Sequence, residues 1–195
     1  FYATDPSTFD LDKLELPNTL NSIGACAFSS NCLGDRNWAS LEELVIPESV
    51  TELGNGAFMF FGARKVIVRA KTEIIDSGAL GTVGTEYIEI GEGVKCLKSE
   101  CLILSNAKRV CFPKSLTQIE GVPIVYNSIN EDCVFYGYTE CVKNFAKARD
   151  ITYVDMNSNI DLSQEKIEYV MDNNLSDVEY TGKEIKPISR IKMKY

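Results

Sequence analysis

Twenty-eight carboxylates, seven cysteines and a single tryptophan, with no histidine anywhere, form the reactive inventory of this 195-residue chain. The missing imidazole removes every Ser-His or Cys-His nucleophile pair and every zinc site that draws on histidine. The cysteines stand at 26, 32, 96, 101, 111, 133 and 141 with no C-x-x-C pair, so neither a thioredoxin-like motif nor a zinc ribbon can be read from them. Their odd number leaves at least one thiol unpaired within a monomer. Glycoside hydrolysis needs two carboxylates held across one cleft, and no pair here has more than abundance to recommend it. The expectation is a protein that is not an enzyme, with no catalytic residue, no metal and no cofactor.

Charge narrows the partners. Twenty Lys and Arg against 28 Asp and Glu leave a net charge of −8, which repels phosphate backbones and anionic headgroups and disfavours nucleic acid as a partner. The longest apolar stretches, such as Ala57 to Gly62, fall far short of the ~20 residues of a membrane helix, so no membrane insertion of this chain is expected. An apolar content of 45% is enough for a sizeable core. The chain begins at Phe1 without a Met, the expected start of a processed or excised product.

The elements that position these side chains come from an internal repeat. LELPNTLNSIGACAF (14–28) lies over LVIPESVTELGNGAF (44–58), thirty residues on, with apolar, Pro, Gly, Ala and Phe positions matched. The same frame returns in steps of 22 as VIVRAKTEIIDSGAL (66–80), IEIGEGVKCLKSECL (88–102) and VCFPKSLTQIEGVPI (110–124), and CVFYGY (133–138) begins a sixth unit. Each unit opens on an alternating triplet, the period of a strand. Leu14/Leu16, Leu44/Ile46, Val66/Val68, Ile88/Ile90, Val110/Phe112 and Cys133/Phe135 then point inward as two parallel rows. Pro17, Pro47, Gly91 and Pro113 turn the chain out of the triplet. A second apolar pair follows, and then a small residue beside a bulky plug, as in Ala57-Phe58. No unit can bury its apolar face alone, so neighbours must stack. The fold class expected is a β-rich solenoid with short parallel strands.

IPESVTELGNGAF and LPNTLNSIGACAF resemble the BspA-type leucine-rich repeat of bacterial and protist surface proteins. The resemblance covers roughly residues 10 to 154 and implies a right-handed leucine-rich-repeat coil. The later units depart from it by placing Asp76, Lys98 and Glu120 where the family has Gly. FYGYTECVKNFAKARDITYV (135–154) is similar to the terminal unit of such arrays, a short helix and a last strand. On residue grounds alone, Thr139 can cap a helix whose Val142, Phe145 and Ala146 form a one-sided stripe able to close the core.

The domain expectation is therefore 1–155 for the solenoid and its cap, and 156–195 for a polar linker followed by a truncated β module. Its YTGKEIKP run resembles the opening strands of bacterial Ig-like repeats, but fewer than 40 residues remain, against ~100 for a full sandwich.

Outward strand positions are the candidate binding surface. One row reads Lys13, Glu43, Lys65, Tyr87, Arg109, Asp132, with mostly alternating charges that a structural role explains. The other reads Glu15, Val45, Ile67, Glu89, Cys111, Val134, in which Val45 and Ile67 are expected to form a small exposed apolar patch. Repeat one takes eight residues more than the frame needs, within SSNCLGDRNWAS. That insertion carries Asp35, Arg36 and Trp38, and Trp with Arg is the pairing most enriched at hot spots. The alternative place for Trp38 is a fold-back beside Leu33 and Leu41. Phe60 is a further binding candidate, expected to be exposed where Phe61 is core. Cys26, Cys32, Cys101 and Cys111 occupy slots for small apolar side chains, whereas Cys96 and Cys141 are candidates for exposure.

The resemblance implies a monomeric binding or adhesion module, extracellular or at the cell surface, recognising protein or glycan partners on a host or neighbouring cell. The alternative is a non-catalytic spacer or accessory domain of a larger secreted enzyme.

Overall fold

The computed structural model describes residues 14–29, 41–103, 106–124 and 129–158. Asp35, Arg36, Trp38 and Cys32, and the expected linker and Ig-like segment from 159 on, lie outside the described residues. The described residues fall within one compact unit, Phe1–Asn159.

Among the described residues, repeats two to five each contribute one longer and one shorter strand, the first repeat only a shorter one and the sixth only a longer one. The longer ones are β2 (Leu41–Ile46), β4 (Ala63–Val68), β6 (Tyr87–Ile90), β8 (Ala107–Cys111) and β10 (Ile129–Gly137). The shorter are β1 (Ser22–Ile23), β3 (Glu52–Leu53), β5 (Ile74–Ile75), β7 (Cys96–Leu97) and β9 (Gln118–Ile119). Helix α1 (Glu140–Ala148) and strand β11 (Thr152–Asp155) end the array. The longer strands and β11 form one six-stranded parallel sheet in the order β11-β10-β8-β6-β4-β2. The shorter strands pair in parallel as β1-β3 and β5-β7-β9. Parallel neighbours one repeat apart are what a β-solenoid requires, and the chain is one. No helix among the described residues is long and apolar enough to cross a membrane.

The core follows the alternation. Leu44, Val66, Ile88 and Val110 stand in register as one inward row, with Ile46, Val68 and Ile90 as the second. All of these are buried, as are Val50, Leu53, Ile75, Val94, Leu97 and Leu116 of the second apolar pairs. The plugs Phe58, Leu80, Leu102 and Ile124 are buried too, and Phe28 packs half-buried against the same core. Thr72, the one polar member of the second pairs, is buried with its hydroxyl donating to the Ile74 carbonyl at 2.8 Å. That bond satisfies a group whose burial is otherwise costly.

The slot where the later units depart from Gly keeps its turn. Ala57 N–H donates to Gly54 O at 3.2 Å, and the same bond joins Ala79 to Asp76 at 3.1 Å and Cys101 to Lys98 at 3.3 Å. Within this slot glycine is demanded at 54, where a Cβ would lie 2.5 Å from the Ala25 nitrogen, and not at 24, where a Cβ would meet nothing. Two residues on, the backbone is left-handed, with φ of 62° at Gly56 and 63° at Gly78. Cys26 and Glu100 take the same conformation at 55° and 62° and carry the strain that glycine avoids.

Stacked coils also exchange ion pairs. Glu43 meets Lys65 at 3.0 Å, Glu48 meets Lys71 at 2.6 Å, Glu86 meets Lys108 at 3.1 Å and Lys98 meets Glu120 at 2.6 Å. Water screens the exposed pairs, so each adds little to stability. Their hydrogen bonds hold the carboxyls of Glu48 and Glu120 below the usual range. They fix which coil faces which more than they stabilise the whole.

Three expectations are corrected. Leu14–Leu16 belong to no strand: among the described residues no ladder joins them to β2, although Leu14 and Leu16 pack half-buried against the core. In β10 the register shifts between Ile129 and Val134, so Phe135 lies opposite Val110, two residues from the place the repeat assigns it. A slip of two preserves the inward parity, and Phe135 is still fully buried, edge-on to Phe112 at 5.1 Å. Finally, Thr139 is the N-cap of α1 but makes no side-chain capping bond; its hydroxyl lies 3.1 Å from the Cys141 thiol instead. The helix is held by its apolar stripe. Val142 and Ala146 are fully buried, and Phe145 stacks on Phe135 at 6.3 Å.

Candidate recognition surface

The outer face of the six-stranded sheet carries two rows. Register makes the first Glu43, Lys65, Tyr87, Arg109 and Val134, and the second Val45, Ile67, Glu89, Cys111 and Tyr136. The shift in β10 therefore puts Val134 where Asp132 was expected and Tyr136 where Val134 was expected. Charged and aromatic groups interlock along the rows. Lys65 Nζ, paired to Glu43, also lies 5.4 Å from the centre of the Tyr87 ring. Tyr87 donates its hydroxyl to Glu89 Oε2 at 2.9 Å, and the Cys111 thiol lies 3.8 Å from that hydroxyl. Arg109 stands 5.1 Å over the Tyr136 ring, and beyond the strand end Lys114 stands 4.9 Å over Tyr138. Each cation–ring contact contributes about 0.5–1 kcal/mol at an exposed site and keeps a long side chain in place.

Ile67 does not form an exposed patch with Val45. It is 1% exposed, and Val45 is half-buried. The side chain points to the outer face as its parity requires, with Val45 and Glu89 as in-register neighbours and Lys65 and Tyr87 on the adjoining row. Such neighbours stand ~4.5–5.5 Å away, or ~7–8 Å on the diagonal, and long ones roof a β-branched residue between them. Phe60 lies off this face, in the turn after the Phe58 plug. It is half-buried, its backbone is left-handed at φ 62°, and its N–H donates to Gly81 O at 2.8 Å. Phe61 packs edge-on against Phe28 and Phe58.

At its first edge the sheet adjoins a groove of about 1270 Å³ between β2 and residues 14–18. Leu14, Leu16 and Val45 supply apolar wall, and Glu42, Glu43 and Glu48 supply carboxylates. The outer face and this groove share Glu43 and Val45, so they form one continuous surface.

Tyr87 and Arg109 were legible as outward residues of the first row, though their charges and spacing suggested a structural role. Tyr136 was not, since its place depends on the shift in β10.

Four of the described thiols are held away from nucleophilic character. Burial pushes those of Cys96, Cys101 and Cys111 up, and that of Cys133 up to about 12. Cys96 is thus buried where exposure was expected. Cys141 is half-buried, its thiol directed at the Leu116 carbonyl at 3.4 Å, and Cys26 and Cys111 are half-buried too. A pH dependence follows. The unfolded thiol ionises near 9 and the folded Cys133 near 12, so below 9 both states are protonated and the stabilisation is complete. Above 9 the unfolded chain loses protons first, and stability falls as pH rises towards 12. The melting temperature is expected to hold from pH 6 to 8 and then decline, with a shallower decline after Cys101→Ala and Cys133→Ala. An unaltered slope would show that these thiols ionise alike in both states.

The family described as the BspA type leucine rich repeat region matches residues 6–122 and 35–162, with six copies of the repeat. Comparison with curated proteins and with solved structures finds no match. That family match spans most of the chain and coincides with the stacked coils, and the chain belongs to the BspA type leucine rich repeat family.

Proposed function

We propose that this chain is a non-catalytic recognition module on the outside of a bacterial cell, binding a protein partner through the outer face of its six-stranded sheet. The observation that carries this reading is the set of cation–ring contacts across the two rows, Lys65 over Tyr87 and Arg109 over Tyr136. Tyrosine and arginine, held rigid before a partner arrives, are the residues that dominate protein interfaces, because little conformational entropy is left to lose. A protein suits the face better than a glycan does. Sugar rings stack on open aromatic faces, whereas here cations lie over the rings of Tyr87 and Tyr136 and present charge and donors in their place.

The test is a binding screen of the full chain against matrix and cell-surface proteins, run beside a glycan array. A protein ligand is expected, and Arg109→Ala combined with Tyr136→Ala should weaken it at least tenfold with the melting temperature nearly intact. Binding to glycans alone would overturn the choice of partner. No binding in either screen would favour a passive spacer, and normal binding by the double variant would move the site elsewhere.

A further inference from the structure

Beyond recognition, we propose that residues 72–76 form a strap with two seats, one open and one zipped to β3, and that the Thr72 hydroxyl holds the open one. Wherever two of the shorter strands ladder, the same backbone bonds recur. Gly54 N–H donates to Ile23 O at 2.8 Å, Lys98 N–H to Ile75 O at 3.0 Å and Glu120 N–H to Leu97 O at 2.8 Å. One turn earlier in each coil, Thr51 N–H donates to Asn21 O at 2.8 Å, Lys95 N–H to Glu73 O at 2.8 Å and Thr117 N–H to Lys95 O at 3.0 Å. Between coils two and three the counterparts would run from Asp76 N–H to Leu53 O and from Glu73 N–H to Thr51 O. Among the described residues neither is made, and β3 pairs with β1 but not with β5. The interruption is local, since Lys71 N–H donates to Val50 O at 2.8 Å on one side of it and Gly56 N–H to Ser77 O at 2.9 Å on the other.

A cleft of about 600 Å³ lies at the interruption, with Leu53 and Gly54 on one lip and Thr72, Ile74 and Asp76 on the other. Ile74 marks the gap. At 46% it is one of two exposed large apolar side chains among the described residues, whereas Cys96, its counterpart one coil on, is 7% exposed. The sequence supplies the cause. Position 72 is the slot that Val50, Val94 and Leu116 fill in other coils, and here its hydroxyl donates to the Ile74 carbonyl at 2.8 Å. In the β1-β3 and β5-β7 ladders, parallel register sets the N–H of the earlier strand's second residue against the carbonyl of the later strand's first. By the same frame Leu53 N–H belongs on Ile74 O. Thr72 draws that carbonyl to its own chain, and β3 loses it. The two seats are close in free energy. Zipping gains backbone bonds and covers Ile74, but it takes the partner from a buried hydroxyl, and a buried donor left unsatisfied offsets much of what the new bonds contribute.

The test is made on the full chain by amide hydrogen exchange and by relaxation dispersion of the backbone nitrogens, which reads motion between seats on the μs–ms scale. Asp76 N–H is expected to exchange at least tenfold faster than Lys98 and Glu120 N–H, with dispersion at Leu53 and Asp76. Thr72→Val keeps the shape of the side chain and matches Val50 and Val94. It should slow exchange at Asp76 at least tenfold and quench the dispersion, while Lys98 and Glu120 exchange as before and so report an intact fold. Thr72→Ser keeps the hydroxyl and should leave Asp76 fast. Protection of Asp76 equal to that of Lys98 in the unaltered chain would show a wall already zipped. Dispersion absent from the unaltered chain would leave the strap a single seat, and fast exchange at Asp76 in Thr72→Val would clear the hydroxyl of any hold on it. Each of these results overturns the proposal.

Discussion

Phe58→Ala is expected to destabilise the solenoid by about 3–5 kcal/mol, the range for emptying a buried aromatic site. Phe58 is fully buried. Its ring stacks on Phe28 at 5.0 Å and meets Phe61 edge-on at 5.7 Å, so the cavity would remove contacts from two repeats at once. Backbone bonds would not refill it, since Phe58 N–H is already committed to Ala79 O at 3.0 Å. Phe60→Ala, two residues on and half-buried, should cost about 1 kcal/mol. Urea melts of the two variants check this, with midpoints moving and slopes unchanged. Equal losses would mean that the plug position does not carry the core.

Val142→Asp should cost as much, by a different mechanism. Val142 is fully buried, and it packs so near β10 that a Cβ on Gly137 would lie 3.1 Å from its Cγ1. An aspartate there is a carboxylate without a partner in an apolar site, a penalty on the order of 3–5 kcal/mol. The effect should also be localised, because each coil contacts only its neighbours. Hydrogen exchange is expected to speed up first in β10 and β11 while β2 and β4 keep their protection. Uniform loss across all strands would show that the array unfolds as one unit and that α1 is not a separable cap.

Much of the architecture was legible because a solenoid repeats its own instructions. Leu44, Val66, Ile88 and Val110 share a row since 22-residue spacing and strand parity both demand it, and the plug positions follow from the same frame. Other features needed the fold. Parity cannot detect a slip of two, so the Cys133/Phe135 alignment kept every inward residue inward and still misplaced Tyr136. Exposure was misread at Ile67 because parity assigns a face, whereas burial depends on which long side chains stand beside it in other repeats. The Thr139 cap was a sound local expectation overruled by packing, with Val142, Phe145 and Ala146 holding α1 unaided.

What the sequence determined by itself, then, is a stack of coils: the period, the inward rows, the absence of imidazole chemistry and the closing helix. All of these are local or strictly repeated. Tertiary structure alone decided what the surface offers, namely Arg109 over Tyr136, Tyr87 bound to Glu89, and the groove beside β2. The physical reason is that Arg109 and Tyr136, like the walls of the groove, come from different turns, and the Tyr87–Glu89 bond forms beside Lys65 and Cys111 of the neighbouring turns. There the frame stops dictating distance, and only the packed coils set it.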